Sequence, residues 1–314
     1  MATKTTKPAT TYRQVERDYA TEDACKALLK ELRWPDGKPV CPRCNDPRKV
    51  YKTADAYRWK CKACNKHGYK FSVLTGTVFE NTNVPLATWF RVAFLMVSSK
   101  KGMSALQIHR MIDPVHGSKG AYRTAWYMCH RLRAAMKDPG FLKLCGQVEI
   151  DETYVGGDAS NAHRGNRGKQ TSATPGKRRN LVPPKVGVVG AIARKGNVVC
   201  KVIGSTDALT IKKFIRETVS TECSLVATDS DPAYEKLPEA GYRHEAVDHS
   251  RGEYVRGEVH TAHLDSFWSL VKRGIMGSFH HVSAKYLPLY LNEFSWRHNH
   301  RHDAQIFRAV LAGC

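Results

Sequence analysis

The sequence predicts a multidomain α+β protein in which a small ribbon and a helical segment precede an α/β domain with a mixed sheet. Three observations carry this prediction. Two Cys-x-x-Cys pairs, CPRC at Cys41 and Cys44 and CKAC at Cys61 and Cys64, lie in a stretch rich in turn residues and aromatics. A run of helical periodicity follows, from Leu86 to about Met136. After Gly146, β-rich apolar runs alternate with a helix and give way to a last helical region.

The first 20 residues read as a flexible basic tail. Residues 21–80 hold a short helix and the ribbon. TEDACKALLKELRWPDG opens on a capping Thr21, carries acids in its first turn and stops at Pro35-Asp36-Gly37. Sixteen residues separate Cys44 from Cys61, a spacing at which two knuckles donate four thiolates, Cys41, Cys44, Cys61 and Cys64, to one tetrahedral Zn²⁺. Redox pairs are the competing reading, but a redox Cys-x-x-Cys usually occurs once, within a βαβ pattern. Between the knuckles, Lys49, Tyr51, Lys52, Tyr57, Arg58, Trp59 and Lys60 suit a face turned to nucleic acid, and equally the aromatic cover a small ribbon needs. The other cysteines, 25, 129, 145, 200, 223 and 314, lack ligand spacing and read as buried or incidental thiols.

Residues 81–140 form the helical segment: PLATWFRVAFLMVSS, MSALQIHRMI and KGAYRTAWYMCHRLRAAM, the last two separated by Pro114-Val115-His116-Gly117. These two are either a helix-turn-helix whose recognition face carries Lys119, Arg123, His130, Arg131 and Arg133, or a plain bundle with a solvated charged side. Residues 146–305 form the α/β domain, with strands at VEIDETYVGG, KVGVVGAIAR, NVVCKVIG and CSLVATDSD, and a helix at TIKKFIRETVS. The stretch from Asp158 to Lys185 has no periodicity and one acid against seven Lys and Arg; it reads as a long basic loop suited to phosphates. In HTAHLDSFWSLVKRG, Leu264, Phe267, Trp268, Val271 and Ile275 make one apolar helical stripe, with Asp265 and, two turns on, Lys272 along its edge.

With 314 residues, 42% hydrophobic and 25% charged, the composition is that of an ordinary globular protein. Its charge is not: 50 Lys and Arg against 29 Asp and Glu leave +21. Such a balance calls for a polyanion, and double-stranded DNA leads over a membrane surface. The chain shows no basic amphipathic anchor and no apolar run of about 18 residues, the passage from Trp89 to Val97 being broken by Arg91. MATKTTKPATTYRQ has no apolar core of a secretory signal, so the expected location is the cytoplasm, with the bacterial nucleoid, where ten cysteines are thiols or metal ligands rather than disulfides.

The carboxylates define the candidate chemistry. Alternation lets a strand present Glu149 and Asp151 on one face, and Asp229 ends a hydrophobic strand where α/β sheets expose ligand-binding residues. Each alone is an ordinary turn or cap residue. Together with Asp265 from a later helix, Asp151 and Asp229 can hold two divalent ions, Mg²⁺ or Mn²⁺, for phosphodiester cleavage. Glu152 is set aside because alternation turns it from Asp151, and Asp231 because it follows the strand end, before Pro232.

From about Glu22 to Arg301 the chain resembles bacterial insertion-sequence transposases with an N-terminal zinc ribbon and an RNase H-like DDE domain, the ISXO-like group. LLKELRWPDG with CPRC and CKAC, YRTAWYMCHRLR, VEIDETYVGG, VATDSDPAY, HTAHLDSFWSLVKRGIMGSFHHVSAKYL and YLNEFSWRHNHR carry the resemblance. It implies that Asp151 and Asp229 are the first two catalytic acids, and that Lys272 is the basic residue after the third. The third position usually holds Glu, with Asn or His in some subgroups, preceded by an Asn that Ala262 replaces; Asp265 stands there, one methylene shorter, with His263 as fallback ligand. The resemblance further implies Mg²⁺ at the acids, binding of terminal inverted repeats and target DNA, and a dimer or larger assembly on DNA. A decayed or domesticated DNA-binding protein and a nuclease without strand transfer are the alternatives.

Overall fold

The computed structural model describes residues 10–112, 122–137, 141–156, 185–194, 196–248, 251–253 and 255–314. The Pro114–Gly117 turn, Lys119, the first nine residues and residues 158–184 of the basic loop lie outside them. The chain divides into two compact units, Met1–Asp138 with His300–Cys314, and Pro139–Asn299.

In the first unit, α1 (Tyr12–Asp18) occupies much of the stretch expected to be a tail. Thr11 and Gln14 form a reciprocal capping box that satisfies its first N–H groups. Helix α2 (Glu22–Arg33) starts at Thr21, whose side chain accepts from the Ala24 N–H at 3.2 Å. The ribbon is an antiparallel sheet of β1 (Val50–Lys52), β2 (Arg58–Cys61) and β3 (Tyr69–Ser72). Trp59 turns inward and packs edge-on against Trp34, ring centroids 4.8 Å apart, and against Phe71. Lys49, Tyr51, Lys52 and Arg58 stay exposed, so the two readings of this stretch divide between its two faces.

Helix α3 (Leu86–Ser98) is apolar nearly all round and packs against α1, α2 and the helices Tyr122–Ala135 and Ile306–Ala312. Helices α4 (Ala105–Met111) and α5 (Tyr122–Ala135) flank the expected turn. The basic face proposed for α5 is corrected at two positions. His130 and Arg133 are buried, whereas Arg123 is exposed and Arg131 reaches the Thr77 carbonyl at 3.2 Å.

The second unit is a mixed five-stranded sheet in the order β6-β5-β4-β7-β8, formed by β4 (Gln147–Val155), β5 (Val186–Ala193), β6 (Val198–Ile203), β7 (Leu225–Asp229) and β8 (His244–Val247). Strand β8 was not anticipated. β4, β5 and β6 pair antiparallel, while β4–β7 and β7–β8 are parallel. Helix α6 (Ala208–Thr218) crosses between β6 and β7 and packs Ile211, Phe214 and Ile215 with Val148 and Ile150. On the opposite face, α7 (Ala262–Gly274) and α8 (Leu287–Asn299) pack with Val155, Val188 and Ile192. Helix α9 (Ile306–Ala312) belongs to the first unit, where Phe307 meets Phe90 and Phe94, although its sequence directly follows the α/β domain.

Candidate functional site

Four thiols converge where the two ribbon knuckles meet. Cys41 and Cys64 sulfurs are 3.6 Å apart, Cys44 and Cys61 3.6 Å, and Cys61 and Cys64 3.8 Å. A disulfide would need about 2.05 Å. Four sulfurs tetrahedral about Zn²⁺ at roughly 2.3 Å lie about 3.8 Å from one another, so this donor set fits zinc. Burial raises the Cys41 thiol, but backbone N–H groups of Arg43 and Cys44 outweigh it and bring it down to about 7. The neighbouring Cys44 thiol, with burial, holds Cys64 up to about 12.

The carboxylates gather on the sheet face beneath α7. Glu149, Asp151, Thr153 and Val155 alternate onto that face. β4 pairs with β7 only as far as Glu149 with Ala227; past that point the two strands end their ladder, and Asp229 closes β7 on the same face as Ala227. Helix α7 lies against β4 and β5 because its stripe, Leu264, Phe267, Trp268 and Val271, is buried there. Opposite Asp151 in the β5 register is Gly190, and a Cβ on it would stand 2.6 Å from Trp268 Cζ2. The helix thus approaches the sheet as closely as a glycine permits.

This approach lines an open cleft of about 330 Å³ with Asp151, Glu152, Asp265, Lys272, Arg273 and Met276. Burial, then the charges of Asp265 and Asp229, push the Asp151 carboxyl up to about 6. Hard carboxylate oxygens repelling one another in this way suit a hard divalent cation. The three acids are not drawn as tightly as the thiols; among the described residues, the groups whose donors all lie within 4.8 Å are the four cysteines and Glu149 with His260 and His263.

His263, the fallback ligand, does not line the cleft. Its Nδ1 is 2.8 Å from Glu149 Oε1. Asp265 does line it, with one oxygen accepting from the Thr261 hydroxyl at 3.1 Å. Asp231 caps the short turn Pro232–Tyr234 through the Ala233 N–H, consistent with setting it aside. Glu152 faces the α6 side, as alternation requires, where it accepts from the Tyr234 hydroxyl. It nevertheless borders the cleft, and its carboxyl is pushed up to about 7, chiefly by burial.

Sequence reasoning missed the role of Glu149. Its carboxylate is fully buried and accepts from Arg194 Nε at 3.0 Å and from the backbone N–H groups of His263 and Leu264 at 2.9 and 3.1 Å. Three donors make this carboxylate a cap for α7, with His263 Nδ1 and His260 Nδ1 at 2.8 and 3.4 Å from its Oε1. No local pattern in the sequence marks this role, since β4 carries three acids and the partners of Glu149 are remote in sequence.

No helix among the described residues is long and apolar enough to cross a membrane. Compared with known proteins, residues 143–299 match the ISXO2-like transposase domain and residues 20–67 the transposase zinc-ribbon domain. The chain is 28% identical over 285 residues to an uncharacterized protein in transposable element ISH50 of Halobacterium salinarum, covering 90% of this chain and 92% of that protein. A chain of the simian T-cell lymphotropic virus intasome, solved in complex with PP2A regulatory subunit B56 gamma, aligns over 64% of this chain and 66% of its own at 13% identity and a TM-score of 0.28, a likeness too slight to bear on fold or function.

Proposed function

We propose that this chain, which belongs to the family of ISXO2-like transposases with an N-terminal transposase zinc ribbon, cuts DNA at the ends of an insertion element and joins the freed ends to target DNA. One geometric relation supports the reading. Asp151 and Asp229 end up on the same face of neighbouring parallel strands, and the helix packed on that face carries Asp265 and Lys272 into the cleft beside Asp151.

In this reading Asp151, Asp229 and Asp265 hold the divalent ions, Mg²⁺ or Mn²⁺, and Zn²⁺ stays in the ribbon. The ions, when bound, supply the Lewis acid that promotes attack on a phosphodiester and stabilises the departing oxygen. Lys272 and Arg273, exposed at the rim, steady the phosphates flanking the scissile bond. Element-end recognition falls to the ribbon's exposed Lys49, Lys52 and Arg58, and to α4 and α5. Pairing of two ends on a dimer or larger assembly belongs to the same proposal.

The test supplies a linear DNA fragment carrying the element's own end, a supercoiled target plasmid and Mg²⁺. Joined product is expected. Cleavage without joining would replace this reading by a nuclease. Tight binding without cleavage would favour a DNA-binding protein, an alternative kept in view by Asp265, which is a methylene shorter than the usual Glu.

A further inference from the structure

We infer that Glu149 is a positioning residue for the acid site: it caps α7 from the neighbouring strand and so fixes where Asp265 stands relative to Asp151. The inference rests on the reading of Asp151 and Asp265 as metal-holding acids.

A helix begins with backbone N–H groups that have no partner in the helix, and a residue at its start usually supplies an oxygen. Helix α7 departs from this. The side chain of Thr261, at its cap position, makes no capping bond and turns instead to Asp265 Oδ2. Glu149 Oε2 takes its place, accepting from the His263 and Leu264 N–H groups at the second and third positions of the helix. A fully buried anion at a helix N-terminus is held there by both hydrogen bonds and helix dipole.

The other oxygen of Glu149 extends the linkage. Oε1 accepts from Arg194 Nε at 3.0 Å, and the same guanidinium donates to Gln147 Oε1 at 2.6 Å, to the Glu258 carbonyl and to the His260 carbonyl at 3.4 Å. One carboxylate and one guanidinium therefore tie three pieces together: β4, the end of β5 and the segment that leads into α7. Glu149 is two residues from Asp151 on one strand face, and the N–H groups it holds are one and two residues from Asp265. A change at Glu149 is passed to Asp265 by the first turn of α7.

Groups that orient metal ligands without touching the metal typically carry a ten- to hundredfold effect on affinity. Glu149→Gln keeps the volume and one acceptor oxygen but loses the charge that holds Arg194. The experiment titrates zinc-loaded full-length protein with Mn²⁺ alone, well below its melting temperature, and follows free Mn²⁺ by electron paramagnetic resonance. Wild type, Glu149→Gln, Arg194→Lys and Asp265→Asn are compared, with zinc content and melting temperature as checks of folding. A loss of stability alone does not change Mn²⁺ affinity in protein that is folded throughout the titration. The expected result is Mn²⁺ binding weakened about tenfold by Glu149→Gln and in the same direction by Arg194→Lys, with Asp265→Asn weakened at least as much. Wild-type affinity in Glu149→Gln beside a loss in Asp265→Asn overturns the positioning role. Wild-type affinity in Asp265→Asn overturns instead the reading on which it rests. Should Glu149→Gln fail to fold, Arg194→Lys decides in its place, because it leaves the cap on α7 and loosens only its anchor.

Discussion

Asp151 is where single-residue chemistry is most exposed to test. Its carboxyl is raised to about 6 by burial and by Asp265 and Asp229, so the folded protein holds that proton more tightly than the unfolded chain does. The stability this contributes is present below about pH 4, the range of a free Asp, and is lost as the pH rises through about 6. Without Mg²⁺ or Mn²⁺, the melting temperature of wild type should therefore fall by a few degrees relative to Asp151→Asn between pH 4 and 7. Added Mn²⁺ should raise it more at pH 7 than at pH 5, because the acids must be ionised to bind. Parallel melting profiles for the two proteins would contradict the assignment. As candidates, Asp151 stands out in sequence by its alternation with Glu149, Asp229 by closing an apolar strand and Asp265 by bordering the α7 stripe. The buried cap at Glu149 does not, because its partners, Arg194 and the start of α7, lie 45 and 114 residues away.

At the scale of elements, two contacts carry the site. Helix α7 reaches the sheet only because Gly190 has no side chain beneath Trp268. Gly190→Ala forces that indole or the helix outward and should cost about 1–3 kcal/mol, measured by denaturant unfolding, together with a loss of DNA cleavage. An unchanged midpoint would mean that the helix yields freely. In the ribbon, purified protein should carry about one equivalent of zinc. Cys41→Ser should lose it and with it the near-ultraviolet signal of the packed Trp34 and Trp59 pair; zinc-free protein with that signal intact would refute a zinc-built fold. Element by element, the cysteine spacing and the α7 stripe were readable because each is a local pattern. Helix α1 was readable too, since Thr11-x-x-Gln14 is a capping-box signature, but basic composition masked it. Strand β8 is four residues with little apolar alternation and exists through its pairing with β7, so nothing local announced it.

For the whole molecule, a charge of +21 and two segments that match the transposase family fit the proposed encounter with DNA. Charge alone did not foretell which basic residues face outward. His130 and Arg133 sit on a helix that looks basic in sequence, yet they turn inward because packing of the first unit, completed by α9 from the far end of the chain, decides its buried side. In the proposed reading, Asp265 with Asp151 forms the acid site at which the element end is cut. Mg²⁺-dependent cleavage of that end by wild type, Asp151→Ala, Asp265→Ala and His263→Ala tests it most directly. Activity should fall about a hundredfold or more in Asp151→Ala and Asp265→Ala, the scale of losing a group that stabilises developing charge, and should survive in His263→Ala. An active Asp265→Ala beside an inactive His263→Ala would move the third ligand from Asp265 to His263.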